Sequence, residues 1–146
     1  MGIGSPPRGG FAALAIELIV SNYENSLAFW TGPMGFVVAY SRPAQKFAYL
    51  QRPDGAQMMF YERDGDWETG AFEVPLGRGA IFQISVSDIL AVHDAVVAAS
   101  LPFYVELREK WRDWGDRQGG QREFLVQDPD GYLVMVSQKI GERPFA

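Results

Sequence analysis

The sequence predicts an α+β protein built from two tandem βαβββ modules, and two internal repeats support this fold class. The segment QRPDG at 51–55 reappears as QDPDG at 127–131, with strand-like apolar residues on both sides of each copy. Proline presets φ for a turn and glycine supplies a positive φ, so each copy predicts a turn between two strands. Val-Ser-Asn at 20–22 likewise returns as Val-Ser-Asp at 86–88. Two repeats in the same order indicate an internal duplication.

The first module begins with an apolar strand and a capped helix. Asn22 is a good N-cap residue, and the glycine-proline step at 32–33 ends the helix that follows. Further runs of β-branched and aromatic residues indicate three strands, two of which flank the first turn. The predicted elements are a strand over 13–20, a helix over 23–30, and strands over 36–40, 47–51 and 57–62.

The second module repeats this order after a polar connector without clear periodicity. Its predicted elements are a strand over 80–86, a helix over 89–99 that Asp88 caps, a strand over 103–107, a loop over 108–121, and strands over 122–127 and 132–138. We expect one structural domain with a loose N-terminal segment at 1–10, modules at 11–62 and 79–140, a linker at 63–78, and a C-terminal tail at 141–146.

Composition and charge exclude several classes of function. The net charge of −5 and the absence of any run long enough to cross a membrane argue against nucleic-acid and membrane partners. The chain has no cysteine, which excludes disulfides, thiolate metal sites and thiol nucleophiles. We expect a cytoplasmic protein, because the N-terminal segment lacks the apolar core of a signal peptide.

Two segments carry a resemblance to a known superfamily. SLAFWTGPMGF at 26–36 and GQREFLVQDPDGY at 120–132 resemble the vicinal oxygen chelate superfamily, and most of all its bleomycin-resistance branch. The superfamily includes glyoxalase I, extradiol dioxygenases, fosfomycin-resistance enzymes and bleomycin-resistance proteins. The resemblance implies that each module curls its mixed sheet around a cleft and packs its helix on the outer face.

The resemblance also implies where metal ligands would stand in an enzyme of this superfamily. Those positions are Ala15, Ile81 and Met135, together with Met58 or Met59 in the first module. None of these side chains supplies the nitrogen or oxygen ligand that a divalent metal prefers. His93 is the only histidine and lies in the second predicted helix. We therefore expect no metal and no other cofactor, and no catalytic residue is predicted.

Strand alternation predicts which polar side chains share the cleft face. If Ala15 faces the cleft, Glu17 joins it, and Gln83 joins Ile81 in the second module. Glu17 is either a carboxylate that favours a cationic ligand or a solvated residue at a sheet edge or dimer contact. Both interpretations remain open from the sequence.

Aromatic residues supply the remaining candidates for ligand binding. The resemblance implies stacking roles for Tyr40 and Phe47, although a packing role explains either residue equally well. A third aromatic position of the bleomycin-resistance branch, a tryptophan, is Gly120 here. In the predicted loop before it, Trp111, Trp114 and Asp113 either form a wall for a planar or cationic ligand or pack within the loop or a dimer. Trp67 in the linker is a weaker candidate on the same grounds.

The leading prediction is a metal-free binding protein of the bleomycin-resistance type. It would be a homodimer that sequesters a small molecule, such as an antibiotic, in a cleft at its interface. One alternative is a metal-dependent enzyme of the glyoxalase or dioxygenase kind. A second alternative is a non-catalytic stress or regulatory dimer in which the cleft is vestigial.

Overall fold

The computed structural model describes residues 1–145 and divides the chain into two compact units, Met1–Leu76 and Gly77–Ala146. Each unit contains a mixed sheet and an α-helix in the order expected of a βαβββ module. The predicted α+β class is therefore confirmed. Neither α-helix within the described residues has the length and apolar character needed to cross a membrane.

The first unit forms a five-stranded sheet with the order β1-β3-β4-β5-β2, in which β2 runs parallel to β5 and the other pairs are antiparallel. The predicted strands over 47–51 and 57–62 are reproduced residue for residue. The elements are β1 (Ile3–Gly4), β2 (Ile16–Val20), α1 (Tyr23–Thr31), β3 (Val37–Arg42), a 3₁₀ turn (Pro43–Gln45), β4 (Phe47–Gln51) and β5 (Gln57–Glu62).

The second unit forms a four-stranded sheet with the order β6-β9-β8-β7, in which β6 runs parallel to β9. Its turn closes as predicted, because the Gly131 N–H donates to the Asp128 carbonyl at 2.9 Å. The elements are β6 (Ile81–Ser85), α2 (Ile89–Ala98), β7 (Val105–Asp113), β8 (Gln118–Gln127) and β9 (Leu133–Arg143).

The helix starts show that the duplication extends to individual hydrogen bonds. Asn22 and Asp88 cap the two helices through their side chains, as predicted. In each unit a side chain of the return strand also reaches the first helical N–H. The Tyr23 N–H donates to Glu62 at 3.0 Å, and the Ile89 N–H donates to Gln138 at 2.9 Å. These bonds satisfy backbone donors that have no partner within the helix.

Each helix packs on one face of its sheet, and the opposite face is called here the helix-free face. In the first unit, Leu18 and Val20 are buried toward α1, and the Tyr23 ring lies 5.6 Å from Phe60. In the second unit, α2 brings His93 within 5.8 Å of the Phe124 ring. His93 therefore lies on the helix side of its sheet, and the predicted register of the first strand of each unit is confirmed.

Three predicted segments differ from the structure. Residues 1–10, expected to be loose, contain β1, which pairs with β3. The loop predicted over 108–121 is wrong, because β7 and β8 form a long hairpin there. Charged residues on both sides of β7 hide the alternation that marks a strand. The expected C-terminal tail is shorter, since β9 reaches Arg143 and pairs with β8.

Candidate functional site

The helix-free face of the first unit is an aromatic surface. Residues opposite each other on neighbouring strands form rows across a sheet, and one row here runs from Arg42 through Phe47 and Tyr61 to Ile19. Phe47, Tyr49 and Tyr61 form a buried cluster on this face, with Tyr40, Met59 and Ile19 packed against it. The next row places Glu17 opposite Met59. Glu17, Tyr40 and Phe47 thus share this face, as the sequence predicted.

The rings of this face make direct contacts. Tyr40 stacks on Tyr49 with centroids 5.3 Å apart, and its ring lies 5.8 Å from Phe47. The Arg42 guanidinium carbon lies 3.8 Å from the centre of the Phe47 ring, a cation–π geometry. Burial raises the pKa of the Tyr49 and Tyr61 phenols, so both remain neutral donors near pH 7. These contacts form a neutral, aromatic floor.

A cavity of about 190 Å³ opens beside this floor, within the first unit. Pockets for drug-sized ligands measure roughly 300–1,000 Å³, so this cavity fits a single planar group rather than a whole large ligand. Phe47 and Tyr61 form part of its wall, and residues of the 3₁₀ turn and of the segment after β5 complete it. The lining residues are Glu17, Arg42, Gln45, Phe47, Tyr61, Asp64, Asp66 and Trp67.

The cavity is acidic. Glu17, Asp64 and Asp66 bring three carboxylates to its lining, against one cation, Arg42. The segment that carries the two aspartates is fixed locally, because the Asp66 N–H donates to Asp64 at 2.9 Å and the Tyr61 hydroxyl donates to the Asp66 carbonyl at 3.1 Å. The arrangement favours a positively charged group near the aromatic wall.

Trp67 stands at the rim of the cavity in an unusual conformation. Its φ is +60°, a left-handed value that bulky residues rarely adopt, and the residue is 78% exposed. Its ring contacts Tyr61 edge-on at 6.3 Å. Backbone strain of this kind concentrates at ligand-binding and catalytic sites. The exposed ring is therefore the part of the cavity most available to a ligand.

The N-terminal segment covers the part of the aromatic surface that lies outside the cavity. The Phe11 ring meets the Tyr49 ring edge-on at 5.3 Å and the Tyr40 ring at 6.3 Å. Gln57 holds the segment in place by accepting from the Ala12 N–H at 2.8 Å and donating to the Gly10 carbonyl at 2.9 Å. Phe11 thus shields part of the Tyr40 and Tyr49 rings from solvent.

The helix-free face of the second unit has a different character. Its central row runs from Arg108 through Glu123 and Ser137 to Ser85. Gln83 lies on this face, as predicted, and donates to the Ser137 hydroxyl at 3.1 Å. The row contains polar or charged side chains only, where the equivalent row of the first unit contains Phe47, Tyr61 and Ile19.

Glu123 is fully buried and is the centre of an ionic cluster. Its carboxylate accepts two hydrogen bonds from Arg108, at 3.0 and 3.1 Å, and two from Arg112, one of them at 2.8 Å. Gln121 donates a fifth at 2.9 Å. Hydrogen bonds from Arg112, Gln121 and Arg108 lower the pKa of Glu123 to about 2 against the effect of burial. Glu123 is thus ionised at neutral pH, and Glu123 in turn raises the pKa of Arg112.

Trp111 and Trp114 lie on opposite faces of the second sheet. A Cβ added to Gly120 would come within 2.6 Å of the Trp111 ring, and one added to Gly119 within 2.1 Å of the Trp114 ring. Successive residues of a strand point to opposite faces, so the two rings cover different sides. Trp114 shares the helix-free face with Arg112, which pairs with Gly119.

The predicted wall of Trp111, Trp114 and Asp113 is therefore not formed as one surface. Trp111 covers Gly120 on the helix side of the sheet, and its indole N–H donates to Glu109 at 2.8 Å. Asp113 accepts from Gln118 at 3.1 Å near the tip of the hairpin. This arrangement corresponds to the packing interpretation, because the strands β7 and β8 place the Trp111 and Trp114 rings on opposite faces of the sheet.

Sequence reasoning missed the residues that complete both surfaces. Tyr61 follows from strand alternation, because it lies two residues after Met59 and on the same face. Asp64 and Asp66 lie in the linker, where no periodicity signals their direction. Glu123 gave no hydrophobic signal, although it belongs to a segment that carried the family resemblance.

The donor set does not fit the metal that enzymes of the resembled superfamily use. The implied ligand positions hold Ala15, Ile81 and Met135, with Met58 and Met59 in the first unit, and none offers a nitrogen or oxygen atom. Within residues 1–145, no three histidine, cysteine, aspartate or glutamate side chains are arranged to hold a metal ion.

Two solved structures share the fold of this chain. A Salmonella typhimurium virulence protein matches 89% of this chain and 98% of its own, with 19% identity and a TM-score of 0.64. A superfamily member from Alicyclobacillus acidocaldarius matches 89% and 92%, with 15% identity and a TM-score of 0.61. Another from Vibrio splendidus is 34% identical over 85% of this chain and 95% of its own, with a TM-score of 0.39. The comparison with curated proteins finds no relative. The family model described as Glyoxalase/Bleomycin resistance protein/Dioxygenase superfamily matches residues 12–136, and the chain belongs to that superfamily.

Proposed function

We propose that this protein is a small-molecule binding protein that holds a planar, cationic group in the cavity of the first unit. The observation that carries the proposal is the combination of an aromatic wall with three carboxylates around one cavity. Phe47 and Tyr61 line the cavity, and the exposed Trp67 ring stands at its rim. Such rings bind planar groups by stacking and bind cations through the negative charge of their faces.

The charges around the cavity support a cationic ligand. Glu17, Asp64 and Asp66 outnumber Arg42, and the Arg42 guanidinium already lies over Phe47. A ligand cation that displaced Arg42 would make the cation–π contact with Phe47 in its place. It would also lie near the carboxylates of the cavity. The size of the cavity limits this interaction to one planar group, so the rest of a larger ligand would lie outside it.

Binding without turnover is the second part of the proposal. The superfamily's metal positions carry alanine, isoleucine and methionine, which favours sequestration over metal-dependent catalysis. Sequestration of an antibiotic in a dimeric, cytoplasmic protein of the bleomycin-resistance type agrees with this assignment. Bleomycin is therefore the first ligand to test.

Isothermal titration calorimetry with bleomycin, and separately with the planar cation ethidium, tests the proposal. We expect saturable binding that Glu17→Gln weakens roughly threefold to tenfold, because one carboxylate is lost near the cation. Trp67→Ala should weaken binding by a similar factor through the loss of a ring. The matched controls are Glu106→Gln, an exposed carboxylate on β7, and Tyr104→Ala, an exposed ring of the second unit.

Two results would contradict this proposal. The first is that neither probe binds, or that the Glu17 and Trp67 variants bind as the controls do. The second is a stoichiometric metal ion in the purified protein together with a substrate that it converts. That outcome would favour the enzymatic alternative within the same superfamily.

A further inference from the structure

The helix-free face of the second unit carries an excess of positive charge at its edge. Arg108, Lys110 and Arg112 occupy alternate positions on β7, and their partners on β8 are Glu123, Gln121 and Gly119. Because alternate residues of a strand share a face, the three cations point to the same side as Glu123. Strand β7 is an edge strand of the sheet.

The nearby carboxylates do not balance this charge. Glu123 is one negative charge against three cations on this part of the face. Glu142 is already engaged, because it accepts from Lys139 at 2.9 Å and lies 3.8 Å from Arg117. The edge of this face therefore keeps a net charge of about +2, counting each side chain at its usual ionisation near pH 7. The whole chain carries −5, so this charge is local.

Glu123 also fixes the two guanidinium groups in position. Arg108 bonds to it through Nε and Nη2, and Arg112 through Nη1 and Nη2. Among the contacts of the described residues, Nη1 of Arg108 and Nε of Arg112 have no acceptor. The two side chains are 41% and 42% exposed, so solvent and solutes reach them. A guanidinium that is already oriented loses little further freedom when it binds an anion.

We propose that Arg108, Lys110 and Arg112 form a binding site for a carboxylate or phosphate group of a small ligand. Arginine is the residue best suited to such oxyanions, since its N–H groups match their geometry. The Trp114 ring extends the site. It lies on the same face and covers Gly119, which is the strand partner of Arg112. An aromatic carboxylate could place its ring on Trp114 and its charge near Arg112. None of its residues lines the cavity of the first unit.

Glu123 provides a test that distinguishes a ligand site from a purely structural ion cluster. Glu123→Gln removes the one negative charge between the two arginines but keeps an amide oxygen that accepts hydrogen bonds from them, so an anion site should become tighter. Lys110→Gln removes a cation that makes no contact with Glu123, so the same site should become weaker. If the arginines serve only to neutralise Glu123, neither substitution changes anion binding in this way.

The experiment follows the arginine Nε–H signals of ¹⁵N-labelled full-length protein during titration with sodium phosphate and, separately, sodium benzoate. Chloride keeps the ionic strength constant. We expect a saturable shift of the Arg112 signal, a dissociation constant roughly threefold to tenfold higher in Lys110→Gln, and one lower by a similar factor in Glu123→Gln. Arg122→Gln is the matched control, because Arg122 lies one strand away on the opposite face.

Each outcome decides one point. Tighter binding of benzoate identifies an aromatic carboxylate as the ligand class, and tighter binding of phosphate identifies a phosphoryl group. Absence of a saturable shift at about 50 mM of either anion, well above the millimolar range of weak sites, overturns the proposal. So does an equal effect of Lys110→Gln and Arg122→Gln. If Glu123→Gln fails to fold, the comparison of Lys110 with Arg122 still decides.

Discussion

Equivalent rows on the helix-free faces of the two modules contain side chains of different chemistry. Counting from the repeated turns, Phe47 of the first unit corresponds to Glu123 of the second, and their partners on the neighbouring strand are Arg42 and Arg108. In the first unit the arginine lies over an aromatic ring, and in the second it bonds to a buried carboxylate. A change from phenylalanine to glutamate at one strand position thus accompanies a change from an aromatic to an ionic surface.

The comparison shows which parts of a duplicated module are free to diverge. The turns, the helix caps and the bonds from Glu62 and Gln138 to the helix starts are retained in both units. These contacts determine the fold on the helix side of each sheet. The helix-free faces do not carry these shared contacts. There the first unit has aromatic rings with carboxylates, and the second unit has arginines.

Among substitutions that test this difference between the units, the largest expected effect on stability comes from removing the arginines of the second unit. Arg108→Ala combined with Arg112→Ala leaves Glu123 as a buried charge without a cation. We expect the free energy of unfolding to fall by about 3 kcal/mol or more. Arg42→Ala, the equivalent change in the first unit, should cost only about 0.5–1 kcal/mol, since it removes a cation–π contact. Urea unfolding measures both.

A third substitution checks the reason for that loss. Adding Glu123→Gln to the double variant removes the unpaired charge, so most of the lost stability should return. If the double variant is no less stable than Arg42→Ala, the carboxylate does not depend on its arginines and the contrast between the rows is wrong.

The next largest expected effect is a loss of stability in acid that comes from Glu123 of the second unit. The pKa of Glu123 in the folded protein is about 2, below its value of 4.5 when unperturbed. Its ionic stabilisation is therefore complete above about pH 4.5 and is lost as pH falls toward 2, a total of about 3 kcal/mol. Glu123→Gln should lack this part of the pH dependence. Thermal unfolding from pH 6 to pH 2 tests this, and parallel curves for the two proteins would contradict it.

The sequence predicted the duplicated parts well and the diverged parts poorly, for a physical reason. Repeats and helix caps are local signals, so α1, α2, β4 and β5 could be read directly. The hairpin of β7 and β8 could not be predicted in this way. Glu123 pairs with charged residues of β7 on one face, and a strand is recognised from sequence by the alternation of apolar and polar residues. The cavity could be predicted only in part: Glu17, Phe47 and Trp67 were candidates from the sequence, whereas Asp64 and Asp66 lie in a segment without periodicity.

The smallest expected effect concerns the N-terminal segment, which covers aromatic residues that the second unit replaces with other side chains. Phe11→Ala removes an exposed ring from Tyr40 and Tyr49, so we expect a loss of stability of about 0.5–1 kcal/mol. Burial raises the pKa of the Tyr49 phenol, and greater access of water should lower it toward 10. Absorbance at the phenolate band during alkaline titration measures this, with Phe145→Ala as an exposed control. An unchanged tyrosine titration would mean that Phe11 does not shield this surface, and that the whole aromatic face, rather than the cavity alone, is open to a ligand.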